Sequence, residues 1–230
     1  MSRVPLQLAP ALPKRIRQAA VRAGVRIEVV TVIWMAIEAL IAIGAGIVAR
    51  SVLLTAFGID SVIELVTGAT LLWRLSTEAS GGSLERVEQA ENRAAWITAI
   101  GLITLCVYVV ITSGLGLIVQ NKPGESYVGI GLAAVAVVGM PVLAWRKRAI
   151  ASRLDSGALR ADAACSITCA YMAGTLLAGL VLNALFHWWW ADSVAALALL
   201  IWLVPEAREA LEGARAGRGA CGCGDSDCTL

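Results

Sequence analysis

Asp60 and Glu64 stand four residues apart inside the apolar run Leu53–Val66, and Cys165 and Cys169 stand four apart inside Ala161–Tyr171. At that spacing two side chains share one helical face, stacked about one turn apart. A bare carboxylate at the centre of a bilayer costs roughly 2.5–3.5 kcal/mol, while a large apolar residue returns about 0.3–0.6 kcal/mol on the same scale. A helix carrying both acids barely breaks even, so the pair must face protein, water or a cation rather than lipid. Two carboxylates and two thiols from two helices form the donor set of one divalent ion. Oxygen and sulfur in a four-coordinate shell suit Zn²⁺ or Cd²⁺, whereas oxygen alone would suit Mg²⁺, Ca²⁺ or Mn²⁺. A free thiol has a pKa of about 8.5, so metal binding at Cys165 and Cys169 would expel protons. Protons and metal competing for one site give a ready mechanism for antiport.

Membrane helices must position these donors. The chain is 58% hydrophobic with a mean hydropathy of +0.75, far from an ordinary soluble domain. Apolar runs fall near 28–49, 53–76, 93–119, 127–145, 157–183 and 188–204, each sufficient to cross a hydrocarbon core of ~30 Å. They predict an all-α membrane protein of six transmembrane helices. Residues 1–27 form a basic cytoplasmic N-terminal segment, 28–210 the transmembrane domain and 211–230 a cytoplasmic Cys-containing tail. This leaves no room for a soluble domain of ordinary size. The first run follows a basic stretch and is longer than the apolar region of a signal peptide, so a retained helix is expected. Of the 19 Lys and Arg, all but Arg50 and Lys122 fall on one side of this topology. The bias orients both termini to the cytoplasm.

The six cysteines do not suggest a disulfide framework. Cys106, Cys165 and Cys169 lie at membrane depth, and Cys221, Cys223 and Cys228 lie in a tail bathed by reducing cytosol. That tail has the form C-x-C-x₄-C with Asp225 and Asp227, and it either captures a soft metal or is a disordered tail. Glu38 (mid first helix), Asp162 (three residues before Cys165) and Asp192 (opening the sixth helix) are each a proton relay, an outer partner of the site or an interfacial residue. His187, the single histidine, reads as a loop residue without a role. Lys14 to Arg26 is either a basic helix on the inner leaflet or a solvated tail that sets topology. Ala49-Arg50-Ser51 forces an antiparallel hairpin. Residues 77–92 are a loop or an extension of the third helix. Asn121-Lys122-Pro123-Gly124 signals a turn, and Trp188-Trp189-Trp190 an interfacial anchor. Glycines 44, 46, 114, 116, 174 and 179 are packing signals. No nucleotide-binding or nucleic-acid motif is present.

On Asp60-Ser61-Val62-Ile63-Glu64 and Ala161-Asp162-Ala163-Ala164-Cys165-Ser166-Ile167-Thr168-Cys169, the chain resembles the cation diffusion facilitator family of metal/proton antiporters. That family's second helix carries D-x-x-x-D after a Ser-rich start, here Ser51, with Glu64 at the second acid. Its fifth helix carries A-D-x-x-H-x-x-x-D, so Cys165 falls on the histidine and Cys169 on the aspartate. Asp192 matches an acid opening the family's sixth helix. The resemblance covers about residues 14–210. It implies six membrane helices, export of a divalent metal against protons, and a homodimer. Sulfur at both fifth-helix positions tilts the metal toward softer ions. The family's C-terminal metal-sensing domain and the histidine-rich loop of some members are expected to be missing. A dimer would then rest on membrane-helix contacts, and the Cys tail would stand in for the sensing domain.

The expectation is a secondary active exporter, not an enzyme, moving Zn²⁺ or Cd²⁺ across the cytoplasmic membrane by alternating access. Asp60, Glu64, Cys165 and Cys169 are its ligands; Cys221, Cys223, Cys228, Asp162 and Glu38 are further candidates. The metal is cargo, and no resident cofactor is expected. Partners are divalent metal ions, protons, the lipid bilayer and a second copy of the chain, without nucleic acid. The alternatives are a membrane thiol redox protein and a metal-binding sensor that does not transport. Cysteines at i,i+4 on one helix are poorly placed for a disulfide, and the redox reading leaves Asp60 and Glu64 unexplained.

Overall fold

Hydrocarbon offers backbone N–H and C=O groups no water, so an apolar run that crosses it must close its own hydrogen bonds as a helix. A computed structural model describes residues 14–80, 85–120, 122–154 and 156–216. Six helices hold nearly all of them: α1 Lys14–Ala49, α2 Val52–Ser80, α3 Glu85–Val119, α4 Tyr127–Leu154, α5 Gly157–Phe186 and α6 Ala191–Arg215. The protein is an all-α membrane protein. Five helices are long and apolar enough to cross a bilayer. The sixth, α6, carries Asp192, Glu206, Arg208, Glu209, Glu212 and Arg215 and falls short of that composition.

At two boundaries the helical alternative holds. No break separates the basic N-terminal stretch from the first span, because α1 runs through 36 residues. At 1.5 Å per residue that is about 54 Å, well beyond the hydrocarbon thickness. From Lys14 the basic stretch is helix, continuous with the first span. Likewise α3 begins at Glu85, so the acidic connection is mostly helix.

The α1–α2 hairpin turns through Arg50, whose φ of 53° places it in the left-handed region. Arg50 N–H donates to the Ile47 carbonyl at 3.2 Å and Ser51 N–H to the Gly46 carbonyl at 2.9 Å, the paired bonds that close a helix C-terminus. The two helices then run in backbone contact. A Cβ on Gly46 would stand 2.8 Å from the Thr55 backbone nitrogen, and one on Gly58 2.8 Å from that of Ile43. Gly179 on α5 is as tight, its Cβ position lying 2.6 Å from Leu53 Cδ2 and 2.7 Å from Ala195 Cβ. Gly44, Gly114 and Gly174 meet nothing within 4 Å, so small size there serves no contact inside the bundle.

Around the bundle the helices neighbour one another in the order α1, α2, α3, α6, α5, α4 and back to α1, and α2 also touches α5 and α6. Leu53, Leu54 and Phe57 of α2 pack with Leu102 and Leu105 of α3, Met140 of α4, Met172 and Leu176 of α5, and Leu199 and Leu203 of α6. The outside is apolar too: Leu40, Val48 and Ile118 are 76%, 86% and 80% exposed, as a lipid-facing surface requires.

Asp192 has a structural task. Its carboxylate, buried at the start of α6, accepts from Val52 N–H at 2.9 Å, Leu53 N–H at 3.4 Å and the Ser51 hydroxyl. It caps the N-terminus of α2, where orphan N–H groups and the helix dipole favour an anion. His187 follows α5 as its left-handed cap residue (φ 55°), with its backbone N–H on the Asn183 carbonyl. Phe186, Trp188 and Trp190 stack in sequence, with ring centroids 5.1 Å apart at each step.

Candidate metal centre

Because α2 lies across the middle of the bundle, both of its acids point inward. Asp60 is 1% exposed and Glu64 6%, and none of their four carboxyl oxygens has a hydrogen-bond partner among the described residues. A buried carboxyl group without a partner must find a proton or a cation. Across from α2, on α1, Glu38 is fully buried. It receives the Ser61 hydroxyl on Oε1 at 3.4 Å, while its Oε2 has no partner.

Helix α5 faces this cluster. Cys169 is buried and Cys165 half-buried, and neither is in a disulfide. The Cys169 thiol lies against the Glu64 carboxylate and within electrostatic range of Asp60 and Glu38. It does not close a hydrogen bond of ordinary geometry with Glu64. Cys165 lies within range of Glu64. Glu64 of α2 is thus within electrostatic range of both thiols of α5, and Asp60 of Cys169. They are not drawn into a finished cage: among the described residues, no three His, Cys, Asp or Glu side chains are grouped tightly enough to hold an ion as they stand.

Glu206 on α6 joins the same region. It lies within electrostatic range of Asp60 and Glu64, and its Oε2 lacks a partner. Sequence reasoning missed it because the sixth apolar run fades near residue 204 while the helix continues through Pro205 to Arg215. A signal was available: a glutamate directly after a helix-interior proline that ends a long apolar stretch.

Asp162 belongs elsewhere. It is paired with Lys147 of α4, whose ammonium also stands 3.2 Å from Glu28 Oε2 of α1. Lys147 and Glu28 are fully buried, so one cation and two carboxylates tie α1, α4 and α5 together, toward the N-terminal end of α1 from the cluster. Gly68 of α2 makes room for this triad, since a Cβ there would stand 3.2 Å from Glu28 Oε1. Lys147, expected among the cytoplasmic loop cations, is instead a core residue, and Glu28 was not singled out. Their pairing joins residues 119 positions apart across two helices, which no local spacing announces. His187 is remote from the cluster, with Nδ1 3.7 Å from Glu125 Oε1. Cys221, Cys223 and Cys228 lie outside the described residues.

A family model described as the cation efflux transmembrane domain matches residues 29–212. No curated protein matches the chain.

Proposed function

The chain belongs to the cation efflux family, which carries metal cations across membranes, and from that premise we propose that it is a proton-coupled exporter of Zn²⁺ or Cd²⁺. Asp60 and Glu64 supply oxygen and Cys165 and Cys169 supply sulfur to the cargo ion. Glu38, buried, and Glu206, half-buried, stand just outside that set as further acids. The observation that carries the reading is the pair of buried, partnerless carboxyl groups on α2 turned toward the thiols of α5.

The chemistry follows from the donors. When the site faces the cytoplasm, the ion takes the place of protons on the thiols and carboxyl groups. When the helices rock and the site faces outward, protons arriving from that side reclaim the same atoms and free the ion. One set of atoms cannot hold both cargoes at once, and this exclusivity couples them. Asp60 and Glu64 cannot leave the bundle interior, because the lipid alternative is costly. The proposal includes the cytoplasmic membrane, with both termini inside, and a homodimer formed through membrane helices. The apolar exposed faces of α1 and α3 are available for that contact.

The test is Cd²⁺ uptake into everted membrane vesicles carrying the wild-type chain or the Cys165→Ser, Cys169→Ser double variant. Wild-type vesicles should accumulate Cd²⁺ when a proton gradient is imposed, and the double variant should not. Undiminished uptake by the variant would remove the thiols from the mechanism.

A further inference from the structure

On the cytoplasmic half of the bundle, α1 and α4 leave a groove of about 750 Å³ between them. Arg22 and Arg26, one turn apart on α1, line one wall, and Arg146 and Arg153, two turns apart on α4, line the other. All four are exposed. No Asp or Glu lines the groove, and among the described residues none of the four arginines is paired with a carboxylate. The inward-facing cation of the same stretch, Lys147, has taken Glu28 and Asp162 for itself. Glu28 and Asp162, acids of the neighbouring helix turns, are thus engaged inside the bundle.

The helices run antiparallel here, so the groove changes character with depth. Toward the membrane centre its lining becomes Val30 and Val142, which are 55% and 49% exposed. Trp145, 71% exposed, stands beside the arginines at the level where amphipathic rings favour the headgroup region. A cationic mouth above an apolar floor, open sideways to the bilayer, matches a phosphate with hydrocarbon attached. Guanidinium groups pair with phosphate oxygens in bidentate fashion, and basic pockets between helices on the cytoplasmic side suit anionic headgroups.

We propose that this groove is a binding site for an anionic phospholipid of the inner leaflet, its phosphate held by Arg22, Arg26, Arg146 and Arg153 and its acyl chain laid along Val30 and Val142. A free phosphate ion would use the arginines and leave the apolar floor unused. The site is independent of which metal the chain carries.

Native mass spectrometry of the full chain, released from nanodiscs holding equal amounts of phosphatidylglycerol and phosphatidylcholine, tests this directly. The wild-type chain should retain phosphatidylglycerol over phosphatidylcholine by on the order of tenfold. The variant Arg22→Gln, Arg26→Gln, Arg146→Gln, Arg153→Gln should lose the preference. A control with the same charge removed elsewhere (Arg93→Gln, Arg148→Gln, Arg208→Gln, Arg215→Gln) should keep it. Arg26→Gln alone, expected to weaken the preference several-fold, serves if the fourfold variant does not fold. Equal retention of the two lipids by wild type would overturn the proposal. So would a retained preference in the folded groove variants, or an equal loss in the control, which would mean unspecific surface charge. Displacement of the lipid by millimolar inorganic phosphate would assign the site to a free anion instead.

Discussion

At the scale of single residues, the account turns on where buried charge is left unanswered. Asp192 and Asp162 are buried acids with partners: backbone N–H groups and a hydroxyl for one, Lys147 for the other. Asp60 and Glu64 have none among the described residues, and that contrast separates structural acids from candidate ligands. Asp60→Asn should therefore abolish measurable Cd²⁺ binding by titration calorimetry. Glu206→Gln, which removes one nearby negative charge without removing a donor, should weaken binding on the order of tenfold. If both substitutions had the same small effect, Asp60 would be no more than a neighbour of the ion. Proton competition fixes the sign of the pH response. A thiol with a pKa of about 8.5 must lose its proton to bind metal, so affinity falls as pH is lowered through 7 to 6, by about tenfold per unit for each thiol engaged. The Cys165→Ser, Cys169→Ser variant should show a markedly flatter dependence.

At the scale of helices, the close approach of α1 and α2 and the capping of α2 hold the acids at their depth. Gly58→Val would drive a side chain into the Ile43 backbone, already 2.8 Å from an added Cβ. Overpacking of this kind costs about 1–3 kcal/mol, read as a lower melting temperature in detergent. Gly44→Ala, at a position with open space around it, should leave melting unchanged. Asp192→Ala removes the α2 cap and should cost about 0.5–2 kcal/mol. Much of this was legible in the sequence, because hydrocarbon admits so few backbone solutions. Six runs announced six helices, and i,i+4 spacing announced which donors share a face. The relations between helices stayed hidden. Asp192 left three readings open, relay, outer partner or interfacial acid, because its partners lie 140 positions away in the chain. Glu206 fell past the end of an apolar run, and the basic segment before the first span read equally well as helix or as solvated tail. Gly46 and Gly179 proved to be contact points, whereas Gly44, Gly114 and Gly174, equally plausible by type, face outward.

At the scale of the whole molecule, the bundle has two buried polar layers with different balances. The first layer, Glu28, Lys147 and Asp162, carries its own cation. The deeper layer, Glu38, Asp60, Glu64, Cys165, Cys169 and Glu206, has none among its members. Breaking the first should damage the fold: Lys147→Met strands two carboxylates in the interior at about 3–5 kcal/mol. Adding Glu28→Gln and Asp162→Asn should return most of that stability, as followed by thermal unfolding. Failure of the triple variant to recover would mean that Lys147 acts through packing and not charge. The deeper layer is the central claim, that oxygens of α2 and sulfurs of α5 share one ion. X-ray absorption at the cadmium edge measures it most directly, on Cd²⁺-loaded protein with Cys221, Cys223 and Cys228 changed to Ser. The account predicts a mixed shell of sulfur and oxygen that becomes oxygen-only in the added Cys165→Ser, Cys169→Ser variant. A shell without sulfur in the parent protein would contradict it, as would one that the added variant leaves unaltered.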